Sequence, residues 1–201
     1  MKTVGPLIAA LVTTALNIGL SCAEDHGPLA IGSRFVFISP AAKFDSRLSN
    51  GSNQFDDDFK PDIFIQLYLA KALALEYSIL VSEHAFKYGI PTKVAGSTWL
   101  ATQSLSAKLY LAPDSFIAPY AGGGINILTP YSTTSFADSF SIDNHTGWMA
   151  QAGFDLRTSK NTWFNFDYRY MDMDTQARVN GTSYRFDLSP HVFTFGVKYR
   201  Y

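Results

Sequence analysis

The chain has 201 residues, with 16 basic and 17 acidic side chains and a formal net charge of -1. A balance this close to neutral provides no strongly basic surface, so nucleic acid is not expected as a partner. Charged residues make up 16% of the chain, well below the roughly 25% of an average soluble domain. Beyond the N-terminus no apolar run reaches the roughly 18 residues of a membrane-spanning helix. These numbers exclude a bundle of membrane helices and leave one domain-sized unit with an unusually apolar surface.

The first residues have the pattern of an export signal. Lys2 precedes a stretch of apolar and small residues over 4–20, and the small residue Ala23 stands where a signal peptidase would cleave. We therefore expect a signal peptide over 1–23 and one domain over 24–201.

The single cysteine, Cys22, admits a second interpretation. It could be the acylated first residue of a lipoprotein, although Gly19 stands where such a signal usually has a leucine. Cleavage after Ala23 would remove this cysteine, so neither a disulfide nor a thiolate metal site is expected, and no cofactor is predicted.

Alternation of apolar and polar residues is the strongest signal in the rest of the chain, and it predicts strands that bury one face. The last segment shows it best, because Phe193, Phe195 and Val197 alternate with Thr194 and Lys198. The apolar faces carry no Asp, Glu, Lys or Arg. Eight strands are predicted, one around Phe35 and Phe37 and the others over 63–69, 73–81, 99–111, 116–127, 148–156, 164–170 and 193–201. The register of the glycine-rich segment 116–127 is left open.

The predicted connections alternate between short and long. Three short ones, near 70–72, 112–115 and 157–161, interleave with four long ones, near 39–62, 82–98, 128–147 and 171–191. This alternation is typical of an up-and-down antiparallel barrel in an outer membrane, with tight turns at one rim and long loops at the other. The predicted fold class is therefore all-β, an eight-stranded antiparallel transmembrane β-barrel.

Alternation alone does not separate a membrane barrel from a soluble lipocalin-like barrel, whose apolar face lines the cup. Aromatic residues near the predicted strand ends favour the membrane barrel, because interfacial girdles lie there. These residues are Trp99, Tyr131, Trp148, Tyr170, Tyr199 and Tyr201. We therefore expect apolar side chains towards lipid and polar side chains towards the axis.

The residues predicted to face the axis differ in polarity with depth. Ionic residues lie towards the rim with short turns, where opposite charges should pair into a plug: Arg34, Glu76, Lys108, Asp155, Asp167, Arg169, Lys198 and Arg200. Apolar residues lie towards the other rim, where they would form a narrow pocket: Val36, Ile38, Phe64, Leu80, Leu100, Met171, Met173 and Val192. The alternatives are ordinary side-chain packing for the apolar set and purely structural ion pairing for the charges.

Several stretches of the C-terminal half are similar to one known family. Residues 119–126 read Pro-Tyr-Ala-Gly-Gly-Gly-Ile-Asn, residues 170–175 read Tyr-Met-Asp-Met-Asp-Thr, and the segment 187–201 ends on Tyr201. With these motifs the chain resembles the OmpW family of outer-membrane proteins, including its AlkL-like branch of hydrophobic channels. Ser189 and His191 depart from the family pattern, where Asp and Trp are usual, so we expect contacts at the outer rim that differ from those of the family.

The resemblance implies an eight-stranded barrel in the Gram-negative outer membrane, with a hydrophobic channel that is open to the outside and blocked near the periplasm. It also implies a lateral route into the membrane for small hydrophobic solutes. The expected partners are outer-membrane lipid and lipopolysaccharide, the solute, and the barrel assembly machinery. The alternative is a structural or adhesive barrel, or a phage or bacteriocin receptor, that acts through its long loops.

Catalytic and metal-binding motifs are not evident, and we do not expect an enzyme. The glycine run 122–124 lacks the Lys-Ser/Thr ending of a phosphate loop. His26, His84, His145 and His191 are scattered along the chain, so a shared metal ion is not expected. The acidic run 56–58 could hold calcium or bridge to lipopolysaccharide, but a solvated charge run is the simpler interpretation.

Overall fold

The computed structural model describes residues 27–39, 43–44, 58–88, 93–135, 140–142, 144–172, 174–179, 182–187 and 189–201. Within these ranges no helix is long and apolar enough to cross a membrane. The strands are β1 Leu29–Ser39, β2 Lys43–Phe44, β3 Asp58–Ala70, β4 Leu73–Tyr88, β5 Lys93–Tyr110, β6 Ile117–Ser135, β7 Phe140–Ile142, β8 His145–Arg157, β9 Thr162–Met171, β10 Asp174–Val179, β11 Thr182–Asp187 and β12 His191–Arg200. The predicted signal peptide lies outside the described residues.

Eight of these strands form a closed antiparallel barrel in the order β1, β12, β9, β8, β6, β5, β4 and β3. Strand β1 closes the cylinder because it pairs on both sides: Phe35 lies opposite Phe195 of β12 and opposite Pro61 of β3. Closure gives every barrel strand a neighbour on each side, which matters where no water can satisfy the backbone. The predicted fold class is confirmed.

Side chains alternate between the two faces of the wall as predicted. In β9, Asn165 and Arg169 are buried while Phe164 and Phe166 are 46% and 40% exposed. The same alternation places a belt of large apolar side chains on the outside: Ile31, Phe35, Phe37, Ile63, Val81, Leu109, Ile125, Trp148, Phe154, Phe193, Phe195, Val197 and Tyr199. Such a continuous apolar surface suits lipid and would be a liability in water. The inverse, lipocalin-like orientation is excluded.

Connections at one rim match the prediction, and those at the other rim do not. The short turns lie at 71–72, 111–116 and 158–161. Most of the predicted loop 82–98 is instead strand, since β4 and β5 continue to pair as far as Tyr88 opposite Lys93. The other three predicted loops contribute short strands to a separate four-stranded sheet in the order β2, β11, β10 and β7. Alternation could not predict these strands, because beyond the lipid neither face of a strand has to be apolar.

The structure determines the register of the glycine-rich strand β6, which the sequence leaves open. β6 pairs with β5 and β8, with Gly124 opposite Ser106 on one side and Met149 on the other. A Cβ atom on Gly124 would lie 2.0 Å from the carbonyl oxygen of Leu105, so the wall at this point has no room for a side chain. The glycine run is therefore part of the barrel wall.

Another glycine makes room for an interior arginine, and this can be tested. A Cβ atom at Gly196 would lie 2.1 Å from the carbonyl oxygen of Ser33 and 2.7 Å from Cγ of Arg34. We expect Gly196→Ala to lower the free energy of unfolding in lipid vesicles by about 1–3 kcal/mol, because the barrel would be overpacked. The control is Gly123→Ala, whose Cβ would come no closer than 3.2 Å to the carbonyl oxygen of Met149. Equal losses in the two variants would show that crowding at Arg34 is not the cause.

Candidate functional site

The barrel interior contains a network of buried ion pairs centred on Glu76 of β4. Its Oε1 accepts hydrogen bonds from Nη1 of Arg34 at 2.9 Å and from Nη2 of Arg169 at 2.8 Å. Its Oε2 accepts one from Nζ of Lys108 at 2.5 Å. One carboxylate thus links cations from three strands, β1, β9 and β5, across the interior.

Two further carboxylates complete this network. Asp62 Oδ2 accepts hydrogen bonds from Nη2 and Nε of Arg34 at 2.7 and 3.2 Å. Asp167 Oδ2 accepts one from Nε of Arg169 at 2.6 Å and lies 3.7 Å from Nη1 of Arg34. Charge-assisted bonds of this kind are roughly twice as strong as neutral ones. The network therefore ties β1, β3, β4, β5 and β9 to one another.

A second polar cluster lies closer to the short-turn rim. Lys198 of β12 is paired with Asp155 of β8, and its Nζ also donates to the hydroxyl of Tyr68 at 2.8 Å. Asp155 accepts further hydrogen bonds from the hydroxyl of Tyr110 at 2.8 Å and from Nδ2 of Asn165 at 2.7 Å. The carboxylate and the ammonium group are thus enclosed by polar partners, as buried charges require.

Arg200 occupies the edge of this second cluster. Its guanidinium lies over the ring of Tyr68, with Cζ 3.7 Å from the ring centroid, and its Nε donates to the carbonyl oxygen of Gly27 at 2.8 Å. The side chain is only partly buried. The structure thus brings seven of the eight predicted ionic residues into the interior clusters and places the eighth at the rim.

Sequence reasoning missed Asp62, which changes the charge balance. The predicted set contains five bases and three acids, whereas the buried ionic residues of the described chain are four of each: Arg34, Lys108, Arg169 and Lys198 against Asp62, Glu76, Asp155 and Asp167. Asp62 was assigned to a long loop because the apolar row of β3 begins only at Ile63. The signal that could have found it is parity, because Asp62 continues the inward row of Phe64, Gln66 and Tyr68.

An apolar cluster lies on the side of the long connections. It consists of Val36, Leu80, Met149, Met171 and Val192, with Ile38 packed against it. Five of the predicted pocket residues therefore meet in one place, and Met149, which the prediction omitted, joins them from β8. Leu100 is buried but is not a member of this cluster, and Met173 lies outside the described residues.

Phe64 does not lie in the apolar cluster, and its predicted depth is wrong. Its ring packs under the guanidinium of Arg34, with Cζ 4.0 Å from the ring centroid, and Nζ of Lys108 lies 6.0 Å away. Along β3 it follows Asp62 towards the short-turn rim, so it lies on the inner side of that ion pair. A cation over an aromatic face is a favourable contact in a desolvated interior, which explains an aromatic residue among the charges.

The border between apolar and polar layers is sharp. On five strands the next inward residue beyond the apolar cluster, two positions or about 7 Å along the strand, is polar. Arg34 follows Val36, Ser78 follows Leu80, Gln151 follows Met149, Arg169 follows Met171 and Thr194 follows Val192. An apolar layer thus rests directly on a polar layer that contains both arginines.

The described residues contain no group of three His, Cys, Asp or Glu side chains placed to hold a metal ion. His145 lies on β8, and His191 faces outwards on β12, where its Nδ1 lies 2.7 Å from the hydroxyl of Tyr168. His26, Asp56 and Asp57 lie outside the described residues, and Asp58 begins β3.

Comparison with known proteins agrees with this architecture. The sequence profile of the OmpW family matches residues 25–201. Outer membrane protein W of Escherichia coli K12 is 25% identical over 213 aligned positions, covering 96% of this chain and 98% of that protein.

Two solved structures share the fold. The outer membrane protein OprG of Pseudomonas aeruginosa superposes with a TM-score of 0.75 at 20% identity, covering 88% of this chain and 97% of that one. The outer membrane protein AlkL in lipid bilayers superposes with a TM-score of 0.71 at 18% identity, covering 90% and 93%.

The central position of Glu76 can be tested by stability. We expect Glu76→Gln to lower the free energy of unfolding by about 3–5 kcal/mol, because Arg34, Lys108 and Arg169 would share one fewer negative charge in a buried site. Urea unfolding in lipid vesicles, followed by tryptophan fluorescence, measures this. The control is Asp114→Asn, which removes an exposed partner of Lys71 at 3.7 Å and should cost no more than about 1 kcal/mol. Comparable losses in the two variants would contradict a central role for Glu76.

Proposed function

The chain belongs to the OmpW family of outer-membrane proteins, and we propose that it is a channel for the passive uptake of small hydrophobic molecules. Its location is the outer membrane of a Gram-negative cell, as for its named relatives, and its surroundings are outer-membrane lipid and lipopolysaccharide. The observation that carries the proposal is the apolar cluster on the side of the long connections, resting on an ionic layer.

The apolar cluster would act as a deformable entry site. Val36, Leu80, Met149, Met171 and Val192 pack against one another, so a solute enters by displacing side chains. Methionine suits this purpose because it is unbranched and adapts to irregular shapes. Burial of apolar surface contributes about 25 cal/mol per Å², which for a small solute gives weak capture and fast release.

The ionic layer would close the inner end. Water and polar solutes would have to break charge-assisted hydrogen bonds among Arg34, Glu76 and Arg169. An apolar solute gains nothing by entering this layer, since it would separate charges without replacing their bonds. We therefore place its exit through the barrel wall into the membrane.

A second candidate function uses the long connections. The strands β2, β7, β10 and β11 pair into a sheet separate from the barrel, and a sheet built from the long connections suits adhesion or capture by a phage or bacteriocin. Within that sheet β10 and β11 pair along their whole length, with Asp174 opposite Asp187 and Val179 opposite Thr182.

Uptake through the apolar cluster gives one test. Met171→Asp should lower the initial rate of uptake of an apolar fluorescent tracer into proteoliposomes severalfold, because a carboxylate without a partner replaces an apolar side chain. Met171→Leu preserves size and polarity and should retain most of the rate. The change in mobility on heating before electrophoresis verifies that both variants are folded. A folded Met171→Asp variant with undiminished uptake would remove the cluster from the mechanism.

The two candidate functions are separated by the hairpin of β10 and β11. Replacement of residues 174–187 by a short Gly-Ser turn should leave tracer uptake within about twofold of the parent if the barrel interior carries the function, because the interior ion pairs remain. Uptake and cell adhesion or phage adsorption are measured on the same variant. Retained uptake supports the channel, whereas retained adhesion with lost uptake contradicts it.

A further inference from the structure

Hydrogen-bond acceptors without partners lie on the short-turn side of the apolar cluster. Oδ1 of Asp62, Oδ1 of Asp167 and Oγ1 of Thr194 are buried and have no hydrogen-bond partner among the described residues. The three residues are 2%, 5% and 4% exposed. Buried polar groups are normally satisfied, so these three unsatisfied oxygens, together with Oε1 of Gln151 next inward from Met149, call for an explanation.

Two of these residues adjoin the apolar cluster directly, and the third lies next to one of them. Asp62 lies opposite Leu80 in the pairing of β3 with β4, and Thr194 lies opposite Val36 in the pairing of β1 with β12. Asp167 lies opposite Thr194 in the pairing of β12 with β9. All three side chains are buried on the inner face. Asp62 and Thr194 lie one register position from an apolar residue, and Asp167 lies beside Thr194.

The cations of this layer are already occupied. The three side-chain nitrogens of Arg34 donate to Asp62 and Glu76. Those of Arg169 donate to Asp167, Ser78 and Glu76. Each guanidinium has five N–H donors, of which three form these bonds, but none reaches Oδ1 of Asp62 or Oδ1 of Asp167, which remain unsatisfied acceptors.

Unsatisfied acceptor oxygens favour a ligand that carries a hydrogen-bond donor. A carboxylate oxygen accepts only, and the threonine hydroxyl can accept or donate. A protonated amine would add a charge to an interior in which the buried charges of the described chain are balanced, four against four, and an uncompensated buried charge is costly. A hydroxyl group provides the donor without the charge.

We propose that the preferred ligand of this channel is an apolar molecule with one terminal hydroxyl group, such as a medium-chain alcohol or an alkylphenol. Its hydroxyl donates to one of the free oxygens of Asp62, Asp167 and Thr194, and its chain replaces contacts within the apolar cluster. The assignment rests on the proposed channel function and specifies its substrate class. Because the acceptor atoms are buried, the ligand reaches them by displacing side chains, and Met149 and Met171 are the members of the apolar cluster that rearrange most readily.

The test compares three probes with equal numbers of non-hydrogen atoms, 1-octanol, 1-methoxyheptane and n-nonane. The full chain, with methyl-labelled methionine, is placed in lipid nanodiscs, and the methyl resonances of Met149 and Met171 are followed during each titration. After correction for partitioning into lipid, 1-octanol should reach half-saturation at a concentration about three- to tenfold lower than 1-methoxyheptane, the effect of roughly one hydrogen bond.

Matched variants identify the acceptor. Thr194→Val keeps the shape and removes the hydroxyl, and it should reduce the advantage of 1-octanol. Thr102→Val makes the same change at a buried position of β5 opposite Leu80. The Thr102 hydroxyl is not one of the unsatisfied oxygens, so this variant should leave the advantage unchanged.

Each alternative outcome contradicts a different claim. Equal half-saturation by the three probes would overturn the preference for a hydroxyl group and leave the channel function standing. Methyl resonances that respond to none of the probes would overturn the binding pocket, and with it the proposed channel. An unchanged advantage in Thr194→Val would remove Thr194 from the site.

Discussion

The constraint on which this structure depends is that lipid offers no hydrogen bonds to a backbone. A sheet in that environment must close on itself, and here β1 pairs with both β3 and β12. Closure with eight strands leaves an interior just wide enough for side chains. Inward side chains from different strands therefore meet, so each polar group of the interior needs both space and a partner of opposite charge or hydrogen-bonding type. The glycines of the wall provide the space, and the arginines and carboxylates are partners for one another.

The interior accommodates the size of its long cations and balances their charge at the same time. Arg34 can cross the interior because Gly196 has no side chain in its way, and Tyr120 similarly lies against Gly153, where a Cβ atom would come within 2.7 Å of its hydroxyl. Once the long cations are inside, they need carboxylates, since a buried charge without a partner is costly. Glu76 meets three of them at once. The balance of four buried cations and four buried anions in the described chain is thus what closure demands of a narrow polar barrel.

The predictability of the fold follows from the same constraint. Where a strand has lipid on one side, one face must be apolar, so alternation revealed all eight barrel strands and the orientation of Phe166 against Asp167. Beyond the lipid that requirement ends. The prediction of a loop over 82–98 is wrong for this reason, since β4 and β5 continue to pair through most of that range. The predicted interior charges omit Asp62 for the same reason, because this residue precedes the first outward apolar residue of β3, Ile63.

Depth was harder to predict than face. Phe64 was placed near the outer rim, but it lies beneath Arg34, because strands in a barrel are tilted and staggered by a shear that spacing along one strand does not reveal. The apolar cluster was predicted more successfully, since Val36, Leu80, Met171 and Val192 lie near the same end of their strands.

The sharp border between the two layers gives the interior its directional character. An apolar solute that enters from the side of the long connections exchanges contacts with Met149 or Met171 for similar contacts of its own, so the free-energy change is small. One step further, at Arg34 and Arg169, every nitrogen of the side chain is already bonded, and insertion would break bonds that an apolar solute cannot replace. On the proposed function, an apolar molecule would therefore enter the barrel only as far as this border, where it would meet the same ion pairs that stabilise the fold.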